Sequence, residues 1–100
     1  MYTILLSFNA EEDIQKATKW YHKQLVGLDF KFYDDLNKSL KHIQKNPLQN
    51  NFYRYHKIVR KKNLSIFPYK ILYMIDKNTI KIIAVIHHKR SIRYIKRRLK

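Results

Sequence analysis

Leu64–His88 reads LSIFPYKILYMIDKNTIKIIAVIHH. Two strand-length apolar runs flank Asp76-Lys77-Asn78, a tripeptide of turn residues, so the stretch reads as a β-hairpin. Pro68 has no N–H to give a ladder and belongs at the start of the first strand, at an edge or at a bulge. The second run, Thr79–His88, is the most regular strand in the chain. Side chains alternate across a strand, which puts Ile80, Ile82, Ala84 and Ile86 on one face and Lys81, Ile83, Val85 and His87 on the other. The first set is wholly apolar and is expected to pack on helices. On the second face Ile83 and Val85, with Leu72 or Met74 from the neighbouring strand, would stand in water unless a terminal helix or a partner covers them.

Upstream, Tyr2–Phe8 reads as a short buried strand. Asn9 is placed to cap a first helix, with Glu11, Glu12 and Asp13 in its first turn, where carboxylates favour the helix dipole. Ile14, Ala17, Tyr21 and Leu25 recur at helical spacing and Gly27 is expected to end the helix. Leu28, Phe32, Leu36, Leu40 and Ile43 form the stripe of a second helix, about Asp29–Lys45, which Asn46-Pro47 stops. The short connection implies an antiparallel helical hairpin, with Trp20 packed at its seam. Phe52–Arg60 is aromatic and basic, and Lys61-Lys62-Asn63 reads as a turn. Downstream, Ile92, Ile95 and Leu99 fit a short basic helix. The expected architecture is α+β: an N-terminal strand, an antiparallel helical hairpin, an antiparallel β-meander and a short C-terminal helix.

Length and composition agree with a single domain, residues 1–100. With 45% hydrophobic residues there is material for one core, and the absence of cysteine excludes disulfides and thiolate metal sites. No apolar run is long enough to span a membrane, and Met1–Leu6 lacks the basic lead-in of a signal peptide. A cytoplasmic protein is the expectation. Charge is uneven. Residues 1–50 carry seven Lys against six acids, a net of +1, whereas residues 51–100 carry nine Lys and six Arg against Asp76 alone, a net of +14. Such an excess asks for an anionic partner, either nucleic acid or an acidic protein.

Several segments in order carry a resemblance. Ala10–Ile14, Ala17, Trp20-Tyr21, Gln24 and Gly27-Leu28 are similar to the first helix of the RelE/ParE superfamily of bacterial toxins. Phe32, Leu36, Leu40, Ile43 and Asn46-Pro47 are similar to its second helix. Phe67-Pro68-Tyr69, Ile71 and Tyr73 resemble its central strand, and Ala84–Arg90 its last strand and the basic segment after it. The resemblance implies the toxin of a type II toxin–antitoxin module, neutralised by a cognate acidic antitoxin. No cofactor is expected, and the opposite facing of His87 and His88 with no carboxylate nearby argues against a metal. The superfamily holds two activities, inhibition of DNA gyrase by ParE-like members and ribosome-dependent mRNA cleavage by RelE-like members. Trp20-Tyr21 and Phe67-Pro68-Tyr69 lie closer to the ParE-like branch.

Cleavage through the 2′-hydroxyl needs a base, an acid and cations for the phosphate. No carboxylate lies between Asp35 and Asp76, so a histidine or lysine would have to act. His87 is the candidate, on the strand face away from the helices, because imidazole titrates in the useful range. His88 must point the opposite way. Arg60 and Arg90 are candidates to hold the phosphate, and Tyr94 resembles the tail tyrosine of RelE-like nucleases. These four are catalytic candidates only for a nuclease. Arg54, Lys57, Lys61, Lys89, Arg93, Arg97 and Arg98 are candidates for nucleic-acid or target binding. Leu72, Met74, Ile83 and Val85 are candidates for antitoxin binding.

Overall fold

The computed structural model describes residues 1–99. Its elements are β1 (Thr3–Leu6), α1 (Phe8–Gln24), α2 (Leu28–Lys45), β2 (Arg60–Asn63), β3 (Tyr69–Asp76), β4 (Thr79–His87) and α3 (Ile92–Arg98). The four strands form one sheet in the order β1-β4-β3-β2, with β1 parallel to β4 and the other pairs antiparallel. This is the expected α+β architecture, with the helical hairpin on one face and α3 on the other.

Local chemistry moves several boundaries. Ser7, not Asn9, caps α1, its Oγ accepting the Ala10 N–H at 3.0 Å. The Ser7 N–H also donates to the Ile82 carbonyl at 3.0 Å, so one residue both ends the ladder and starts the helix. Gly27 does not end α1, which stops at Gln24. It opens α2 instead, at φ +90°, a conformation costly for a residue with a Cβ. Lys61-Lys62-Asn63 is strand, not turn, and pairs with Lys70–Leu72. The chain turns further on, at Leu64–Pro68, where buried Asp35 of α2 accepts the N–H groups of Ser65, Ile66 and Phe67 at 2.8 to 3.2 Å. A segment without regular partners thereby has its buried donors satisfied. Pro68 lies just before β3, as its missing N–H requires. Asp76 and Thr79 flank the β3–β4 turn, with Lys77 at φ +56°.

The alternation expected along β4 fails halfway. Leu72 pairs with Ala84 but Tyr73 pairs with Ile82, so Ile83 is the extra residue of a β-bulge. Each later side chain changes face. Ile80 and Ile82 join Val85 in the core under the hairpin, with Phe32, Leu36, Ile43, Ile71 and Tyr73. Ala84 and Ile86 instead meet Leu72, Tyr53, Val59 and Ile95 in a second core beneath α3. The patch expected in water is therefore largely covered. Leu72 lies under α3 and Val85 under the hairpin, both buried, while Met74 and Ile83 are half-buried.

Remote side chains satisfy the backbone at the bulge. The Ile83 carbonyl accepts from Ser7 Oγ at 3.2 Å and from Arg98 Nη2 at 3.3 Å, and the Val85 N–H donates to Asp13 Oδ2 at 3.0 Å. Arg98 in turn donates to both Asp13 oxygens, at 3.0 and 2.8 Å. Beyond the end of β1, one ion pair thus closes the exposed edge of β4.

Candidate functional site

Two clefts open on opposite faces of the sheet where β4 ends. The first is lined by Asp13, Lys16, Ala17 and Trp20 of α1, Tyr69 of β3, Val85, Ile86 and His87 of β4, then Arg90 and Tyr94, with a volume of about 210 Å³. The second, of about 390 Å³, is lined by Tyr53, Arg54, Tyr55, Lys61, Asn63, Lys70, His88, Arg90, Ile92 and Ile95. Arg90 borders both.

The bulge decides which histidine enters which cleft. His87 lies on the hairpin face with Val85, correcting its expected placement away from the helices. Its ring meets Tyr69 edge-on, with centroids 5.0 Å apart. His88 takes the opposite face, and its N–H donates to the Pro68 carbonyl at 2.9 Å. Both imidazoles titrate below the usual 6.5, His87 through burial and then the charges of Lys89, Arg90 and Lys70, and His88 through burial and then Lys70. Burial, followed by neighbouring Tyr21, pushes the Tyr69 phenol up to about 12, so it remains protonated at neutral pH.

The first cleft is rich in donors. His87 Nδ1 accepts the Lys89 N–H at 3.0 Å, which leaves the proton of the neutral ring on Nε2. In that tautomer Nε2 presents a hydrogen-bond donor to the cleft. Asp13 is the single carboxylate lining either cleft, and both its oxygens are engaged by Arg98 and the Val85 amide. Arg90 lies over the Tyr94 ring at 4.3 Å, and the Tyr94 hydroxyl accepts from Arg98 at 3.0 Å. The constellation can hold an anion, with His87 Nδ1 and both Asp13 oxygens already engaged within the fold.

The expected site residues scatter accordingly. His87, Arg90 and Tyr94 come together. Arg60 stands apart on β2, donating to the Asn50 carbonyl at 2.7 Å and lying over Phe52 at 4.0 Å. Arg54 and Lys61 line the second cleft. Lys57, Lys89, Arg93 and Arg97 are exposed and border neither. Arg98 is committed to Asp13, and its guanidinium is held more firmly protonated by that bond. Trp20 does not pack at the seam. It is 58% exposed, at the mouth of the first cleft.

Sequence reasoning missed Lys70, Lys16, Asp13 and Tyr69 as lining residues. Lys70 had a visible signal, being the one charge in the run Leu64–Ile75. The others had none, because their roles depend on contacts between distant segments.

Residues 4–92 match the family described as the ParE toxin of the type II toxin–antitoxin system, parDE. Comparison with curated proteins returns no match. Among solved structures, the chain is similar to the chromosomal ParDE toxin–antitoxin system from P. aeruginosa, with a TM-score of 0.71 and 20% identity over 87% of this chain and 96% of that one. The isolated E. coli RelE toxin gives a TM-score of 0.65 and 21% identity over 97% and 95% of the two chains. YoeB from Staphylococcus aureus gives 0.61 and 22% over 87% and 97%. At these identities the likeness to solved structures concerns the fold.

Proposed function

Because this chain belongs to the ParE toxin family of type II toxin–antitoxin systems, we propose that it inhibits growth by acting on DNA gyrase and is released when its antitoxin is lost. The observation that carries gyrase over mRNA cleavage is the match of residues 4–92 to the ParE toxin family. The first cleft supports it, since His87 Nδ1 is bonded to the Lys89 amide and Asp13 to Arg98, an arrangement that suits a binding surface. A binding inhibitor needs a charged, shaped surface and no proton transfer. The net charge of +15 supports an acidic antitoxin segment as the neutralising partner, steered to the basic half of the chain. The half-buried Met74 and Ile83 are the apolar anchors proposed for it. Leu72 and Val85 would join them only if α3 or the hairpin moved. Action on gyrase places the protein in the cytoplasm.

The test is brief induced expression in a bacterial host, comparing the chain with His87→Ala. A gyrase inhibitor leaves mRNA intact, induces the DNA-damage response and keeps most of its toxicity in the variant. Rapid cuts at ribosome-bound codons, abolished by His87→Ala, would instead establish a RelE-like endoribonuclease and defeat the gyrase reading. Normal growth would defeat both for this chain.

A further inference from the structure

The second cleft holds a mostly buried lysine with no counter-charge beside it. Lys70 is 8% exposed, in the middle of the sheet, yet makes no ion pair among the described residues. Its side chain leaves β3 on the α3 face, level with Asn63 on β2 and Ile86 on β4. The cleft around it also receives Arg54, Lys61 and Arg90, with His88 beside them and no carboxylate in the lining. The stem of Lys70 is buried while its ammonium opens into the cleft, where three more cations and no counter-charge add repulsion. Burial and then Lys61 pull Lys70 below its usual 10.5, and His88 is pulled down by burial and then by Lys70. A compact anion of high charge would relieve all of these costs together.

We propose that the cleft formed by Arg54, Lys61, Lys70, His88 and Arg90 binds an oligophosphate, either an inorganic chain of phosphates or the polyphosphate end of a nucleotide. Two observations favour this ligand over a nucleic-acid strand. The first is charge density. A phosphodiester brings one negative charge per nucleotide, whereas a terminal phosphate alone carries about −1.5 to −2 at pH 7 and its neighbours in a chain add more within a few ångströms. Four cations around about 390 Å³ match the denser anion. The second is the state of the aromatics. Single-strand binding relies on rings free to stack bases. Here the Tyr55 ring already holds Arg54 at 5.1 Å and Lys96 at 5.7 Å and meets the Tyr53 ring edge-on at 5.2 Å, while Tyr53 itself is buried. The rings serve to position cations. The proposal does not depend on which target the toxin attacks.

Titration calorimetry on the purified full chain tests it, in Mg²⁺-free buffer at about 0.15 M salt, where surface charge is largely screened. Sodium tripolyphosphate should bind at one site per chain. Lys70→Met, which keeps the buried stem, should weaken binding by about tenfold or more, the worth of one charge-assisted hydrogen bond. Arg54→Gln, at an exposed position, should weaken it several-fold and carries the test if Lys70→Met does not fold by circular dichroism. Lys23→Gln, on the far side of α1, should bind as the parent does. ATP binding more tightly than tripolyphosphate identifies a nucleotide as the source, and equal or weaker binding identifies inorganic polyphosphate. Absence of saturable binding overturns the proposal, as does an equal loss in Lys23→Gln. Tighter, Lys70-dependent binding of a single-stranded RNA oligonucleotide overturns it in favour of a nucleic-acid groove.

Discussion

Arg98 ties three parts of the molecule together: α3, which carries it, α1 through Asp13, and the β4 bulge through the Ile83 carbonyl. In sequence it is one of several cations in a basic tail, and nothing sets it apart from Arg93 or Arg97. In the fold it is mostly buried and bidentate, so it is lost to any target-binding role. Removing one member of such a pair leaves the other charge partly buried, and leaves the Ile83 carbonyl with Ser7 Oγ as its remaining side-chain donor. Arg98→Met is therefore expected to lower stability by roughly 3 kcal/mol, read as a shift of the urea midpoint. Arg97→Met, exposed one position earlier, should shift it little. Equal effects would show that the tail acts only through its net charge.

At the scale of elements, α3 and the second core depend on each other. The helix spans only Ile92–Arg98, too short to persist alone in water. It is held by the Ser91 cap, by Arg98 and by Ile95, which is 2% exposed against Leu72, Ala84 and Ile86. Ile92 occupies the same helix but is 47% exposed. Ile95→Ala should cost about 2–4 kcal/mol through lost burial and a cavity, whereas Ile92→Ala should change stability by less than about 0.5 kcal/mol. Thermal unfolding of the two variants checks this. The helical hairpin is likewise tied to the sheet, because Phe32 packs against Tyr21, Phe67 and Tyr69 with ring centroids 5.2 to 5.4 Å apart. Those contacts fasten α1 and α2 to the segment that opens β3.

For the whole molecule, the dominant quantity is charge. The excess of +15 sits almost entirely in the last fifty residues, which form β2, β3, β4 and α3. It collects on the sheet and its flanking loops and leaves the hairpin nearly neutral. Self-repulsion of this kind opposes the compact state and is screened by salt. Raising NaCl from about 0.02 to about 0.3 M should therefore raise the melting temperature by several degrees, with circular dichroism as the readout. A fall or no change would mean that the cations are already compensated within the fold.

The amino-acid sequence by itself determined the order and type of the major elements, the hairpin stripe, the Asp76–Thr79 turn and the place of Pro68. Each of these follows from local periodicity, capping and backbone chemistry. It also determined the charge asymmetry, and enough of the family pattern was legible to expect a RelE/ParE-like fold. The tertiary structure decided which way β4 faces after Ile82. Strand alternation assumes an unbroken register, and the extra residue Ile83 is accommodated only because Ser7, Asp13 and Arg98 arrive from elsewhere to satisfy its backbone. That one insertion moved Val85 and His87 to the hairpin side and Ile86 to the α3 side. Assembly likewise turned Lys70 from an isolated charge in an apolar run into the centre of a cationic cleft, since only folding brings Arg54, Lys61 and Arg90 around it.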